Sequence, residues 1–185
     1  MAKQKMKILA IIGEPLAGKG EVANFIIKKY GYKRLVYSDT LSDILKIMNL
    51  PLVRPNFANL AIALREHFGG SILTQVLLEE ARRKGIKKVI FDGARHPAEI
   101  DFLKKMPGFK CIYVTASAKT RYIRAKKRGE KSNEKSMSFA DFKKEGRLAT
   151  EAEFGKMSRG AIKIVNEDGI RDLHKQISDK LNKYL

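Results

Sequence analysis

Gly13, Gly18 and Lys19 stand at the spacing G-x-x-x-x-G-K, with Glu14, Pro15, Leu16 and Ala17 between the glycines and Gly20 and Glu21 after the lysine. Glycines let a backbone curl until successive N–H groups point inward, and a helix start behind the turn adds about half a positive charge. A lysine closing the turn adds a full charge for the outer oxygens of a polyphosphate. The chemistry indicated for residues 13–21 is therefore phosphate binding. The hydroxyl residue that usually follows such a lysine, as a magnesium ligand, is replaced here by Gly20 and then Glu21. A short glycine turn with a surface lysine would give the same letters. The flanks argue against that, because an apolar run at 8–12 reads as a buried strand and 20–29 as an amphipathic helix carrying Val22, Ala23, Phe25, Ile26 and Ile27.

Other candidates sit where apolar runs end. Residues 87–91, KKVIF, read as a buried strand leading into Asp92-Gly93-Ala94-Arg95-His96-Pro97. An acid at that position is placed to bind Mg2+ through water, with Arg95 in the same crevice; a plain turn before a proline-started helix is the structural alternative. Arg121, Arg124 and Arg128 share one stripe of a helix expected over 118–129. Like charges at that spacing repel by a few tenths (~0.2–0.5) of a kcal/mol per pair, so something anionic should compensate them unless the stripe is a solvated basic face. Ser38 and Asp39 follow a short strand at 34–37, where they either cap the next helix or hold an acceptor substrate. Arg54 and Arg65 stand near apolar positions of a helical stretch, and each could reach an anionic substrate or simply be solvated.

Strands at 8–12, 34–37, 87–91, 110–115 and 161–165 alternate with helices. The right-handed crossover rule then gives an α/β fold, a five-stranded parallel sheet with helices on both faces. Pro51 and Pro55 introduce a helical insertion in two pieces broken at Gly69-Gly70, so an acceptor-binding insertion is expected over about 39–84. Residues 130–138, EKSNEKSMS, lack periodicity and lead into a helix over 139–157; the stretch 130–155 is expected to act as a lid. A length of 185 residues with 44% apolar content fits a single domain, 1–185. No long apolar run is present and the N-terminus leads directly into the first strand, so a cytoplasmic protein without membrane contact is expected. Cys111, the single cysteine, falls in the run CIYV and reads as a core residue. Lys and Arg number 38 against 20 acidic residues, a net charge of +18. That excess favours polyanionic partners, nucleotide or nucleic acid, although lysine spread over solvated faces would account for it as well.

Taken together, the chain resembles the P-loop nucleotide kinases, in the branch of the nucleoside monophosphate kinases and dephospho-coenzyme A kinases and their small archaeal and bacterial relatives. The resemblance covers nearly the whole length. It rests on GEPLAGKGEVA for the P-loop (Walker A) segment, YSDTL, NLAIALREHFG, VIFDGARHPAEIDFL, TRYIRAKKRGE and IVNEDGIRDLHKQI. Adenylate kinases also carry Gly after the P-loop lysine, yet follow it with Thr where this chain has Glu21. The resemblance implies ATP and Mg2+ as cofactors, Asp92 near the magnesium, and Arg95, Arg121, Arg124 and Arg128 on phosphates with Lys19. It also implies Asn166 and Gly169 at the adenine end. No lid zinc is implied.

Phosphoryl transfer asks for in-line placement and positive charge rather than covalent chemistry. The expectation is an enzyme, an ATP phosphotransferase acting on a nucleotide-type acceptor, a nucleoside or deoxynucleoside monophosphate, with Ser38, Asp39, Arg54, Arg65, Asp92 and Arg95 around the acceptor. Dephospho-coenzyme A is the alternative acceptor, for which Asp39 would be the base. An ATPase assembly factor acting on RNA or ribonucleoprotein and an inactive kinase, the latter suggested by Gly20-Glu21, are the rival readings.

Overall fold

Strand β1, Lys7–Gly13, is buried from Ile8 onward because both of its faces are covered. Ile8, Ala10 and Ile12 enter one apolar cluster, and Leu9 and Ile11 enter another, the two-residue period of a pleated strand. The computed structural model describes residues 6–129 and 135–184, without the side chains of 145–153. β1 pairs in parallel with β3, Lys88–Asp92, on one side and with β4, Phe109–Thr115, on the other. β2, Lys33–Val36, and β5, Ile162–Val165, form the edges, giving the five-stranded order β2-β3-β1-β4-β5. All four pairings are parallel, the expected α/β sheet.

Helices α1, Lys19–Tyr30, and α8, Ile170–Leu181, cover one face through Val22, Ala23, Ile26, Leu173 and Ile177. The other face is covered by α2, Tyr37–Ile47, α4, Ile72–Arg83, α5, Pro97–Lys104, and the last turn of α7, Phe139–Met157. Fully burying a side chain such as Leu9, Ile11, Ile90 or Phe91 contributes about 1.5–3 kcal/mol. Between α2 and α4 lies α3, Arg54–Phe68, whose Ala61 joins the same cluster. Helix α6, Ala118–Arg128, follows β4. Cys111 is buried, and burial pushes its thiol up to about 12, an inert core group.

One local feature differs from the sequence expectation. The second strand ends at Val36, and Tyr37 already opens α2, so Ser38 and Asp39 lie exposed in the first helical turn and do not cap it; Val36 is the N-cap. The reason is the Tyr37 ring, which is buried beside Phe91 and exchanges a 2.8 Å hydrogen bond with Thr74 of α4. Of the segment 130–155, expected as a lid, part is described. Residues 130–134 lie outside the described residues, but α7 is packed near both ends. Phe139 and Phe142 lie on Tyr122 of α6, with ring centroids 5.3 and 5.6 Å apart, and Met157 is buried in the core.

The β5 edge is covered by α8 side chains. Gln176 accepts from the Val165 N–H at 2.8 Å and donates to its carbonyl at 3.0 Å, while Lys180 donates to the Lys163 carbonyl. This occupies groups that could otherwise pair with another chain. At the middle of the sheet β1 continues into α1 on one face, and its neighbour β3 into α5 on the other. The crevice where these connections part, beyond the C-terminal ends of β1 and β3, is where ligands of open parallel sheets bind.

Candidate active site

The turn from β1 to α1 occupies that crevice. Gly13 and Gly18 have φ of 144° and 98°, and even Leu16 sits at 66°, a conformation that costs a non-glycine residue energy and gathers at functional turns. Gly18 is the N-cap of α1 and gives no side-chain cap, so the opening N–H groups of the helix are available to an anion. Lys19 folds back along the loop, its ammonium donating to the carbonyls of Gly13 at 2.9 Å and Glu14 at 3.0 Å. Burial pushes the Lys19 ammonium below the usual lysine range, and Arg95 and Arg121 press in the same direction while Asp92 and Glu14 oppose them. These five groups therefore share one electrostatic neighbourhood.

Behind the loop stands a strut. Asn166 is buried and donates to the Ala17 carbonyl at 2.9 Å. Arg124 donates to the carbonyls of Leu16 at 3.2 Å, Ala17 at 3.4 Å and Asn166 at 2.9 Å. A Cβ on Gly18 would lie 2.1 Å from Asn166 Nδ2, so the glycine is required by this contact as well as by its backbone angle. Glu167 ties the next residue to α6, accepting from Thr120 at 2.5 Å and from the Ser117 hydroxyl and N–H; these bonds pull its carboxyl below the usual range, that from Thr120 most. The Asn166→Ala variant leaves the Ala17 carbonyl short of a donor and should cost about 1–2 kcal/mol in chemical denaturation; unchanged stability together with unchanged ATP affinity would remove the strut from the account.

The basic stripe on α6 is compensated differently from expectation. Arg121 donates to the Ala116 carbonyl at 3.1 Å and lies 6.0 Å from the Phe142 ring, and Arg124 is committed to the carbonyls just named. Backbone oxygens, not a bound anion alone, relieve the repulsion. Arg128 is exposed at the end of the helix. Glu14 faces β4, accepting from Tyr113 and, at 3.4 Å, from Thr115, while its second oxygen is buried without a hydrogen bond. Glu21 turns the other way. Its carboxylate lies 3.5 Å from His174 Nε2 of α8, whose ring stacks on Phe25 at 4.1 Å. Gly20 has open space around it, and Gly169, at φ 96°, is the N-cap of α8.

Across the crevice, two ion pairs escaped sequence reasoning. Asp92 accepts from Arg34, whose Nε donates at 2.8 Å, and the carboxylate is only 10% exposed. Glu99 is fully buried and accepts from Arg65 Nη2 at 2.8 Å and Nε at 3.2 Å. Its other oxygen accepts the N–H groups of Arg95 at 2.9 Å and His96 at 3.1 Å, part of a capping box at the start of α5. The signals were present as Lys33-Arg34 in an otherwise apolar strand and as His96-Pro97-Ala98-Glu99, a helix-start pattern. Arg95 itself is exposed, as is Arg54 at the first residue of α3. Among the described residues no group of three or more His, Cys, Asp or Glu could hold a metal. A single carboxylate, Asp92, with no hydroxyl at Gly20, fits a magnesium ion carried by phosphates and water rather than caged by protein.

A family model described as AAA domain matches residues 12–143. The UPF0200 protein of Sulfurisphaera tokodaii is 34% identical over 128 residues, 69% of this chain and 70% of that one. The UPF0200 protein of Methanothermobacter thermautotrophicus is 29% identical over 182 residues, 96% of this chain and 90% of that one. Among solved structures, shikimate kinase from Bacteroides thetaiotaomicron superposes with a TM-score of 0.63 at 13% identity, covering 96% of this chain and 99% of its own, a likeness of fold. With the glycine loop, Lys19 and the parallel sheet in place, the chain belongs to the AAA domain family and to the UPF0200 proteins within the P-loop kinase-type α/β fold.

Proposed function

We propose that the protein is an ATP-dependent phosphotransferase whose acceptor is a nucleotide, a nucleoside or deoxynucleoside monophosphate. The observation that carries this reading is the glycine loop at the start of α1 with the Lys19 ammonium folded along it and Arg95 and Arg121 in its electrostatic neighbourhood, while the nearby carboxylates of Asp92 and Glu14 are engaged by Arg34 and Tyr113. Such a site favours a polyanion. ATP would lie along residues 13–20, with its adenine toward Asn166 and Gly169. The γ-phosphorus bond to ADP breaks as a bond to an acceptor phosphate oxygen forms, and Lys19, Arg95 and Arg121 neutralise the moving group. Arg124 contributes by holding the loop, and Arg128 at the end of α6 is an outer phosphate contact. Ser38 and Asp39 in the first turn of α2, together with Arg54 and Arg65 of α3, face the acceptor. A magnesium ion would be carried by the nucleotide phosphates, with Asp92 reaching its water shell, and would neutralise phosphate charge. Closure of the 130–155 segment would keep water from the phosphoryl group.

An acceptor phosphate needs no general base, whereas a sugar hydroxyl such as that of dephospho-coenzyme A benefits from one, which Asp39 would supply. A coupled assay across nucleoside monophosphates, deoxynucleotides and dephospho-coenzyme A is expected to give its highest turnover with a monophosphate; transfer to none of them sinks the proposal. The net charge of +18 favours a second reading, an ATPase acting on RNA or ribonucleoprotein in a cytoplasmic setting. Salt-dependent RNA binding with ATP hydrolysis and no acceptor phosphorylation would establish that reading instead.

A further inference from the structure

Glu99 has no exposed surface, and two segments meet on its carboxylate. One oxygen takes both the Nη2 and the Nε of Arg65 from α3; the other takes the backbone N–H groups of Arg95 and His96 from the turn after β3. We propose that Glu99 is the positioning residue of the acceptor site, aligning Arg65 with Arg95 so that two guanidinium groups address a single oxyanion of the acceptor. This rests on the phosphotransferase reading and assigns to it the part of the protein that sets where the acceptor's phosphate lies.

A capping box accounts for only part of the arrangement. Capping α5 requires one carboxylate contact to the His96 N–H, and an exposed glutamate suffices for it. Here the carboxylate is taken out of water, which is costly unless every lone pair is matched, and the match is supplied by an arginine from another helix. A guanidinium held along its Nε and Nη2 edge presents its remaining N–H groups in one direction. Arg65 thus supplies direction with its charge largely balanced by Glu99, while the exposed Arg95 supplies charge.

A second contact, independent of the ion pair, fixes the same two segments. A Cβ on Gly70, in the turn between α3 and α4, would come within 2.9 Å of both the Ala98 Cβ and His96 Cε1. The insertion that carries Arg65 is therefore seated directly on the start of α5. The pair also lies at the crevice. Glu99 and Arg65 both act electrostatically on Tyr37 at the start of α2, where burial pushes the phenol above its usual range, and Arg95 acts on Lys19. Glu99 spans the two halves of the acceptor side, and a carboxylate that holds two segments fixes the geometry between them.

The test is titration with inorganic phosphate, followed by NMR of 15N-arginine side chains, on protein saturated with the non-hydrolysable ATP analogue AMP-PNP so that the P-loop is filled. Wild-type protein should bind phosphate with a shift of the Arg65 Nε–H signal. Glu99→Gln keeps an oxygen for the cap but loses the charge, and should weaken phosphate binding by about tenfold or more with AMP-PNP affinity unchanged. Arg65→Lys leaves the cap intact and should give a similar loss even where Glu99→Gln fails to fold, and the double variant should lose no more than the worse single one. Wild-type protein that does not bind phosphate, variants that bind it as tightly as wild type, or additive losses in the double variant would each overturn the inference. Equal loss of AMP-PNP affinity in Glu99→Gln would do so too, because it marks a general structural role. If AMP-PNP does not bind wild-type protein, the phosphotransferase reading fails separately, and the phosphate titration without it still judges the arginine pair.

Discussion

Lys19→Ala is expected to lower phosphoryl transfer by two to three orders of magnitude, roughly 3–4 kcal/mol of lost transition-state stabilisation, while leaving the fold as stable as wild type or more so. The two halves of this expectation have one cause. The Lys19 ammonium is held among its own loop carbonyls, and burial keeps its pKa below the usual lysine range. A base whose pKa is lowered by folding makes the charged form costly to the fold at neutral pH, a cost that shrinks as pH rises toward the lysine range. The charge is therefore maintained against stability, and a polyphosphate is what would repay it. Removing the side chain removes that cost and leaves Arg95 and Arg121 as the remaining cations of the group. Steady-state kinetics with thermal denaturation on the same samples check both parts. More than a tenth of wild-type turnover in Lys19→Ala would refute the assignment, and a large fall in melting temperature would refute the account of its burial.

The same contrast between local pattern and long-range geometry explains what could be read from the sequence. The alternation Ile8, Leu9, Ala10, Ile11, Ile12 sorts into two opposite clusters, as a strand buried on both faces requires, and periodicity alone places the helix Phe139–Met157. The turn at 13–19 was legible because its glycines and the strand and helix that flank it are adjacent in the sequence. The two ion pairs were not. Arg34 meets Asp92 only because β2 lies beside β3 in a register that sets Val36 against Asp92, and strand order is not written in either segment. Glu99 reads locally as a helix-start acid, and nothing within five residues announces an arginine from α3. Arg124 likewise looks like one member of a basic stripe. Its partners are carbonyls at 16, 17 and 166, brought together by the fold. Glu21 illustrates the opposite limit: adjacency to Lys19 suggested the phosphate site, whereas helical geometry aims its carboxylate at His174.

Within the loop, the same chemical change should have opposite signs at two glycines seven residues apart. In Gly13→Ala the new Cβ would stand 1.9 Å from the Val114 carbonyl oxygen and 2.9 Å from its carbon, at a φ of 144°. The obstacle is backbone of a central strand in register with Gly13 itself, so no side chain can rotate away. Relief requires β1 and β4 to separate or the loop to change its path, and a loss of roughly 2–5 kcal/mol is expected from overpacking and backbone strain together. Gly20→Ala meets nothing within 4 Å and lies inside α1. There the substitution removes the entropy that glycine loses on folding, and a gain of up to about 1 kcal/mol is expected. Urea denaturation of the two variants without ligand measures both. A Gly13→Ala protein as stable as wild type would mean that the loop does not pass over β4 as described. A strongly destabilised Gly20→Ala would mean that the space beside Lys19 is already filled, and with it the position proposed for a phosphate.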